Sequence, residues 1–420
     1  MNTTSSAFAG SGEIYDLAVI GGGPAGSTLA VASAQLGLSV LLVDGRPGGG
    51  PARRDTRNFA VVRGSWRLLS RLGVAEALET EAEPLRGLEA QDGSGHLFSD
   101  PSALFGEADL DTDPTGIPLG YMVEAERLQA VLDARVAAQT GITVLRPARF
   151  DTYLAGSGDV ASPASVVLED GTCHRARLLA GCDGVNSPVR HAAGIGAEGR
   201  DYGKSVFAAN VRLGRPHLGI ARQLFTPEGP FATLPLPGDR ANLAWYLKTG
   251  AAEALADRPV AEIEMELNGR FAEFAGEMAI DGPVLAYPLK LILARDMVGP
   301  RVALVGDAAR RINPLAGQGL NLGFKDVAAL AEVAADAVRA GLDPGSPVAL
   351  ERYRRWRRFD ATMTALGMDM IDLVFSNDNP VLKGVRSVAL LAADRMGAIR
   401  GPLTRQASAD QASLPRLMQA

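Results

Sequence analysis

Apolar and polar positions along the chain follow two periods. Short runs dominated by apolar residues, Leu17–Ile20, Ser39–Val43 and Val302–Val305, read as buried parallel strands. Each stops abruptly: Gly21 follows the first, Asp44 tips the second, and Gly306-Asp307 close the third. A further run, beginning at Leu178, leads into Asp183-Gly184. Between the first two runs, residues 24 to about 36 read as a helix that Gly37 ends. Elsewhere the pattern alternates, as in Asn242-Leu243-Ala244-Trp245-Tyr246-Leu247, and predicts antiparallel strands. After Gly317-Gln318-Gly319 a long alanine-rich stretch reads as helix, and Phe359, Met363, Leu366, Met370 and Val374 share one helical face further on.

Composition narrows the function classes. The 420 residues suffice for two or three lobes, and 48 glycines suit many tight strand-to-helix turns. A net charge of −6 argues against general nucleic-acid binding, so no nucleic-acid partner is expected. Cys173 and Cys182 have neither metal spacing nor a disulfide framework, and the four histidines are scattered. A cytoplasmic location without a metal site is expected. The first dozen residues lack the features of a signal peptide, and no apolar run approaches the roughly 20 residues that span a bilayer.

The candidate chemistry starts at Gly21-x-Gly23-x-x-Gly26, between a strand and a helix. The first glycine permits the tight turn, the second lets backbone approach a pyrophosphate, and the third packs helix on strand. The helix amino terminus offers N–H groups and positive dipole to phosphates. Asp44 stands at the spacing where an acid accepts a ribose hydroxyl. The amino-terminal position, with more acid-tipped strands later, favours FAD over NAD. Asp307 raises its own question, since an acid at the tip of a buried strand is costly without a partner. Either it caps the next helix or a ligand meets it.

Taken together, GxGxxG, "CDGVNSPVR" (182–190) and "VGDAARRINPLAGQGLNLG" (305–323) resemble the para-hydroxybenzoate-hydroxylase fold of flavin monooxygenases. The stretches 55–74, 124–132, 225–237, 313–326 and "FSNDNPVLK" (375–383) resemble its UbiH-type branch, the hydroxylases of ubiquinone biosynthesis. The resemblance implies an α/β fold, a Rossmann-like FAD-binding domain interleaved with an antiparallel-sheet substrate domain, plus C-terminal helices. The expected FAD-binding domain takes residues 13–74, 120–196 and 284–345, the substrate domain 75–119 and 197–283, and the helical region 346–406. Residues 1–12 and 407–420 are expected to be disordered.

By the same resemblance FAD is bound by Gly21, Gly23, Pro24, Ala25, Gly26, Asp44, Asp183, Gly306, Asp307, Pro314, Gly317, Gln318, Gly319 and Asn321. Asp307 is expected on the ribityl chain, and the Gly317-Gln318-Gly319 backbone beside the ring, where its donors stabilise a reduced anion. Arg127 matches an arginine that reaches the cofactor, and Arg57 one near the flavin cleft. Phe225, Phe231, Leu234, Leu236 and Trp245 are candidates for the substrate pocket, although such spacing also fits plain core. No catalytic side chain is named, because the flavin carries the hard step.

The implied activity is hydroxylation of a prenylated phenol with O2, the flavin being reduced by NAD(P)H or a protein donor. Members usually have histidines where this chain has Arg310 and Asn313, which puts chemistry beside the flavin in question. A flavin-binding scaffold, a hydroxylase of a soluble aromatic metabolite, or a reductase of an isoprenoid double bond are the alternatives; "FSNDNP" weighs against the last two. The basic run "ERYRRWRRF" (351–359) and the apolar tail behind it leave two readings: helices packed on the flavin domain, or a surface for the inner membrane face, a homo-oligomer or a biosynthetic complex.

Overall fold

The computed structural model describes residues 10–47, 57–93, 102–106, 116–156, 162–312, 318–358 and 414–419. The first part of the chain runs β1 (Gly10–Ile20), α1 (Pro24–Gln35), β2 (Val40–Val43), β3 (Asn58–Val62), α2 (Arg63–Arg71), β4 (Glu83–Leu85), β5 (Gly87–Asp92) and β6 (Ser102–Gly106). It continues through β7 (Gly120–Glu124), α3 (Ala125–Ala138), β8 (Ile142–Leu145), β9 (Phe150–Leu154), β10 (Ala164–Leu168), β11 (Cys173–Gly181) and α4 (Pro188–Ala192). The middle holds β12 (Ala197–Leu213), β13 (Ile220–Thr226), β14 (Gly229–Leu236), β15 (Arg240–Lys248), α5 (Ala251–Ala256), α6 (Val260–Ala275) and β16 (Met278–Ala294). Then come β17 (Val298–Gly299), β18 (Val302–Leu304), β19 (Arg310–Arg311) and α7 (Gln318–Arg339). Residues 347–358 are helical as well.

The apolar runs form one sheet in the order β17-β18-β11-β1-β2-β8, parallel from β18 to β8. Its register aligns Leu304, Gly181, Ile20 and Val43 in a single row. The chain segments beyond that row, carrying Gly306-Asp307, Asp183, Gly21 and Asp44, therefore emerge side by side at the carboxyl edge, where open α/β sheets bind ligands. Helices α1 and α7 bury their apolar residues against this sheet, with Leu17, Leu29, Phe324 and Leu330 inaccessible to solvent.

A second sheet, β19-β16-β12-β15-β14-β13-β5-β6, is antiparallel except at the β13–β5 pair. Alternation decides its faces. Phe207, Leu243, Trp245 and Phe231 point to one side, where Ile263, Leu267 and Phe271 of α6 close over them. The small sheet β3-β7-β4 joins the two through Ala60, Leu85, Met122, Ala221 and Leu236.

Two boundaries move from the expected ones. Position 284 falls inside β16, which pairs with β12 at both its ends, Met278 and Ala294, so the first domain resumes only at β17. Residues 414–419 are ordered against α2 and α7: Leu414 and Met418 are buried, and Arg416 pairs with Glu332 (3.0 Å) and Asp336 (2.7 Å). Two apolar residues four apart are too short a signal to read as an element. The helical segment 347–358 packs on the first domain through buried Tyr353, whose hydroxyl donates to the Leu304 carbonyl at 2.8 Å. Phe359 to Val374 and "FSNDNPVLK" lie outside the described residues.

Candidate active site

A groove of about 1260 Å³ runs along the carboxyl edge of the parallel sheet, between the Gly21–Pro24 turn, Asp44 and α3. Gly21 has a φ of +101°, and an added Cβ would lie 2.5 Å from the Cys182 carbonyl oxygen. Gly26 packs on the Gly21 carbonyl, so its role is close packing, as read. A Cβ on Gly23 would meet nothing within 4 Å, which leaves its backbone facing open groove.

Asp44 is buried and fully engaged. It accepts from Arg46 Nε (2.8 Å) and forms an ion pair with Arg146 Nη2 (2.7 Å). Both arginines also reach Asp133, and Arg46 Nη2 donates to the Gly22 carbonyl at 2.6 Å. Gln129 Nε2 donates to the same carbonyl at 3.0 Å. Sequence reading missed these four residues, Arg46, Gln129, Asp133 and Arg146. For α3 a signal existed: Glu126, Gln129, Ala130 and Asp133 stand at i, i+3, i+4 and i+7, and all line the groove. Arg127 lies one residue, about 100°, round the helix. It turns away from the groove to Glu81 (2.9 Å) and the Ala77 carbonyl (3.2 Å), which corrects its expected reach to the cofactor.

Asp183 lines the groove but also anchors α4, accepting from Ser187 Oγ (2.5 Å) and the Val189 N–H (2.9 Å). Burial raises its pKa against those hydrogen bonds. Arg190, in the same motif, donates to the Ala308 carbonyl at 2.9 Å. The Gly306–Ala308 turn is held from its other side by Asp326, which accepts the Gly306 N–H at 3.0 Å.

That turn presents Asp307 to a second cavity of about 650 Å³. The Asp307 carboxylate has no hydrogen-bond partner among the described residues and does not cap its own turn. It is accessible from the cavity yet enclosed enough that burial pushes its pKa up, against the nearby Arg311, Arg57 and Arg310 charges. Of the two readings of this acid, the ligand reading fits. Gly23, Pro24 and Arg57 line both cavities, so the two adjoin. Ala25, Gly306 and Gly319 line the second one.

The neighbouring arginines part company. Arg311 lines the second cavity, whereas Arg310 is buried behind the turn, bonded to Asp326 at 2.6 Å. Arg357 of the helical segment meets the same carboxylate at 2.7 Å. Removing one partner of a buried pair costs about 3–5 kcal/mol, so this cluster is structural reinforcement for the turn. The substitution at 310 therefore does not place a guanidinium in the cavity. Asn313, Pro314 and Gly317 lie outside the described residues, as does the side chain of Gln318.

Asn321 does not face the cavity. Its amide accepts from the Val62 N–H (3.1 Å) and donates to the Ala60 carbonyl (2.7 Å), extending β3 like a strand partner. The expected substrate residues also lie elsewhere. Phe231 and Trp245 are in the α6-facing core, Phe225 packs with Ala90 and Ala103, and Leu234 and Leu236 pack with Leu85 and Met122. Alternation identifies which residues share a face, but not which face meets the cavity. The face opposite Phe231 and Trp245 supplies Asn210, Asn242, Leu285 and Tyr287, and Leu234, the cross-strand partner of Asn242, shares that face but packs on Leu85 and Met122 instead.

A family model described as FAD binding domain matches residues 15–363. Ubiquinone hydroxylase UbiL of Rhodospirillum rubrum is 36% identical over 397 residues, 94% of this chain and 90% of the relative. The 3-demethoxyubiquinol 3-hydroxylase of Escherichia coli is 34% identical over 392 residues, 92% of this chain and 96% of the relative. The chain belongs to the FAD-dependent hydroxylase family of ubiquinone biosynthesis. Among solved structures, p-nitrophenol 4-monooxygenase PnpA of Pseudomonas putida shares the fold, with a TM-score of 0.73 at 20% identity over 94% of this chain and 98% of that one.

The cofactor of this flavoprotein is FAD. The residues present fit it: an open backbone at Gly23, a helix amino terminus behind it, and Asp307, without a hydrogen-bond partner among the described residues, in the wall of the adjoining second cavity. Within the basic run, Arg352 pairs with Asp336, Arg354 with Asp296 and Glu351, Arg355 with Glu351, and Arg357 with Asp326. No helix among the described residues is long and apolar enough to cross a membrane.

Proposed function

We propose that this flavoprotein hydroxylates the aromatic ring of a polyprenylated phenol in ubiquinone biosynthesis. The observation that carries the reading is the pair of adjoining cavities, a nucleotide groove and a chamber walled by the antiparallel sheet, which share Gly23, Pro24 and Arg57, with Asp307 in the wall of the chamber. Bound FAD supplies the redox chemistry, accepting electrons from a donor and activating O2. The chain's own groups bind, orient and exclude water.

In this reading the Gly21–Pro24 turn and the amino terminus of α1 hold the pyrophosphate. The Asp44–Arg46–Arg146–Asp133 network fixes the nucleoside end of the groove. Asp307 accepts hydrogen bonds from the ribityl hydroxyls, and Arg57 stands where the ring enters the second chamber. The chamber, within the ~300–1,000 Å³ typical of small-molecule sites, takes the phenol ring. Leu285 is partly exposed at its wall and offers an apolar way out for the prenyl tail.

At ~0.8 kcal/mol per methylene, a polyprenyl tail is held in a bilayer by up to tens of kcal/mol. The enzyme therefore meets its substrate at the inner membrane face. Its electrons come from NAD(P)H bound transiently or from a protein donor.

The test is a visible spectrum of the purified protein, then anaerobic reduction and mixing with O2 and a short-tailed prenylphenol. A flavin spectrum with phenol-dependent hydroxylated product is the expected result. Bound flavin that reoxidises without product, with this and longer-tailed phenols alike, would overturn the proposed substrate class.

A further inference from the structure

Three asparagines from three strands meet on the sheet side of the second cavity. Asn210 of β12 and Asn242 of β15 are direct cross-strand partners, and Asn58 opens β3 in the small sheet. The Nδ2 groups of Asn58 (2.9 Å) and Asn242 (3.0 Å) both donate to Asn210 Oδ1. Two bonds occupy both lone pairs of that oxygen. A longer contact from Asn242 Nδ2 to the Ala209 carbonyl (3.5 Å) orients the Asn242 amide.

The arrangement leaves Asn210 Nδ2 and Asn242 Oδ1 without a partner among the described residues, on side chains that are only half-buried and line the cavity. One is a donor and the other an acceptor. Neither atom takes part in the sheet ladder, which is made by backbone. A row of neutral amides facing a chamber is a recognition device before it is a structural one.

We propose that the Asn58–Asn210–Asn242 row is the ring-recognition element of this chamber, reading the oxygen substituents of a neutral phenol. This rests on the reading of the chamber as the aromatic-substrate site. A phenolic hydroxyl both donates and accepts, so it satisfies Asn242 Oδ1 and Asn210 Nδ2 together. An ortho oxygen substituent adds a second acceptor beside it. A carboxylate is acceptor-only, cannot satisfy Asn242 Oδ1, and carries a charge that this row does not neutralise. The guanidiniums of the chamber, Arg57 and Arg311, stand near both Asp307 and Tyr287.

The experiment titrates the holoenzyme with 2-methoxyphenol and with 2-methoxybenzoate, following the flavin spectrum and the heat of binding. Wild type is expected to bind the phenol and to bind the benzoate at least about 10-fold more weakly. Asn242→Ala and Asn210→Ala are each expected to weaken the phenol about 10-fold, the scale of a lost buried hydrogen bond, with FAD content unchanged. Equal affinity of wild type for the two rings overturns the proposal without recourse to any variant. So does phenol affinity that survives both substitutions. Product formation from the short-tailed prenylphenol judges the proposed function separately: turnover with silent asparagine variants overturns only the recognition role, and the expected binding pattern without turnover overturns only the reaction.

Discussion

The two faces of the antiparallel sheet are built from neighbouring residues and have opposite chemistry. On the α6 side, Trp245 packs edge-on to Phe271, and Phe231 stacks on Phe271 with ring centroids 3.8 Å apart. On the cavity side, three residues away along β15, stands Asn242 with its cross-strand partner Asn210. Aromatics were the natural candidates for an aromatic substrate's pocket, and here they hold the sheet to its helices. The amides that a core would reject are left for the ligand. A sheet covered on one side by helices and on the other by a cofactor cleft needs large apolar area on the first and selective polar atoms on the second.

The sharpest way to break this comparison is to truncate one side only. Phe231→Ala removes a fully buried ring that contacts Trp245, Phe271 and Phe274, and is expected to cost about 3–5 kcal/mol of stability. Urea unfolding of the holoenzyme measures it. If Phe231 instead lined the substrate site, the loss of stability would be small and the loss would fall on KM.

The strand tips were legible because each depended on a local rule. An apolar run of parallel-strand length, a glycine that must turn, and an acid after it place Gly21, Asp44, Asp183 and Gly306-Asp307 at one sheet edge, and the register does the rest. Side-chain destinations were not legible where they depend on what lies opposite. Asn321 pairs with β3, some 260 positions earlier, and nothing near it in sequence reports that. Arg310, Asp326 and Arg357 converge from β19, α7 and the helical segment beyond it. Local pattern gives none of these three charges a partner, and the family resemblance sets Arg310 beside the flavin, whereas the structure buries all three in one cluster.

Asp307 sharpens the comparison between acids that serve the fold and acids that serve a ligand. Asp326 and Asp44 are satisfied by protein cations, while Asp307 is not. Burial raises the folded-state pKa of Asp307 above its ordinary value. A carboxyl raised in this way favours folding fully below the unfolded pKa, and that contribution is lost as pH rises through the folded value. Asp307→Asn is therefore expected to raise the Tm of the apoprotein relative to wild type at neutral pH. The advantage should fade as pH falls through the raised folded-state value and be gone by the ordinary carboxylate value, about pH 4. In the holoenzyme the same variant is expected to weaken FAD about 10-fold, the scale of a charge-assisted hydrogen bond. Unchanged FAD affinity would remove Asp307 from the cofactor site.

Arg127 supplies the smallest expected effect and the cleanest contrast with its helix neighbours. It is half-exposed, and its ion pair with Glu81 lies in solvent, where such pairs contribute about 0–1 kcal/mol. Gln129 and Asp133, two and six residues on, face the groove and bond to its turn or its arginines. Arg127→Ala should leave FAD affinity unchanged, lower stability by no more than about 1 kcal/mol, and lose even that effect at high salt. Gln129→Ala, by contrast, removes a donor to the Gly22 carbonyl and should weaken FAD. A dialysis series against FAD, run on both variants, separates the two positions. An Arg127→Ala enzyme that releases its flavin would mean that the arginine swings off Glu81 and into the groove when the cofactor is bound.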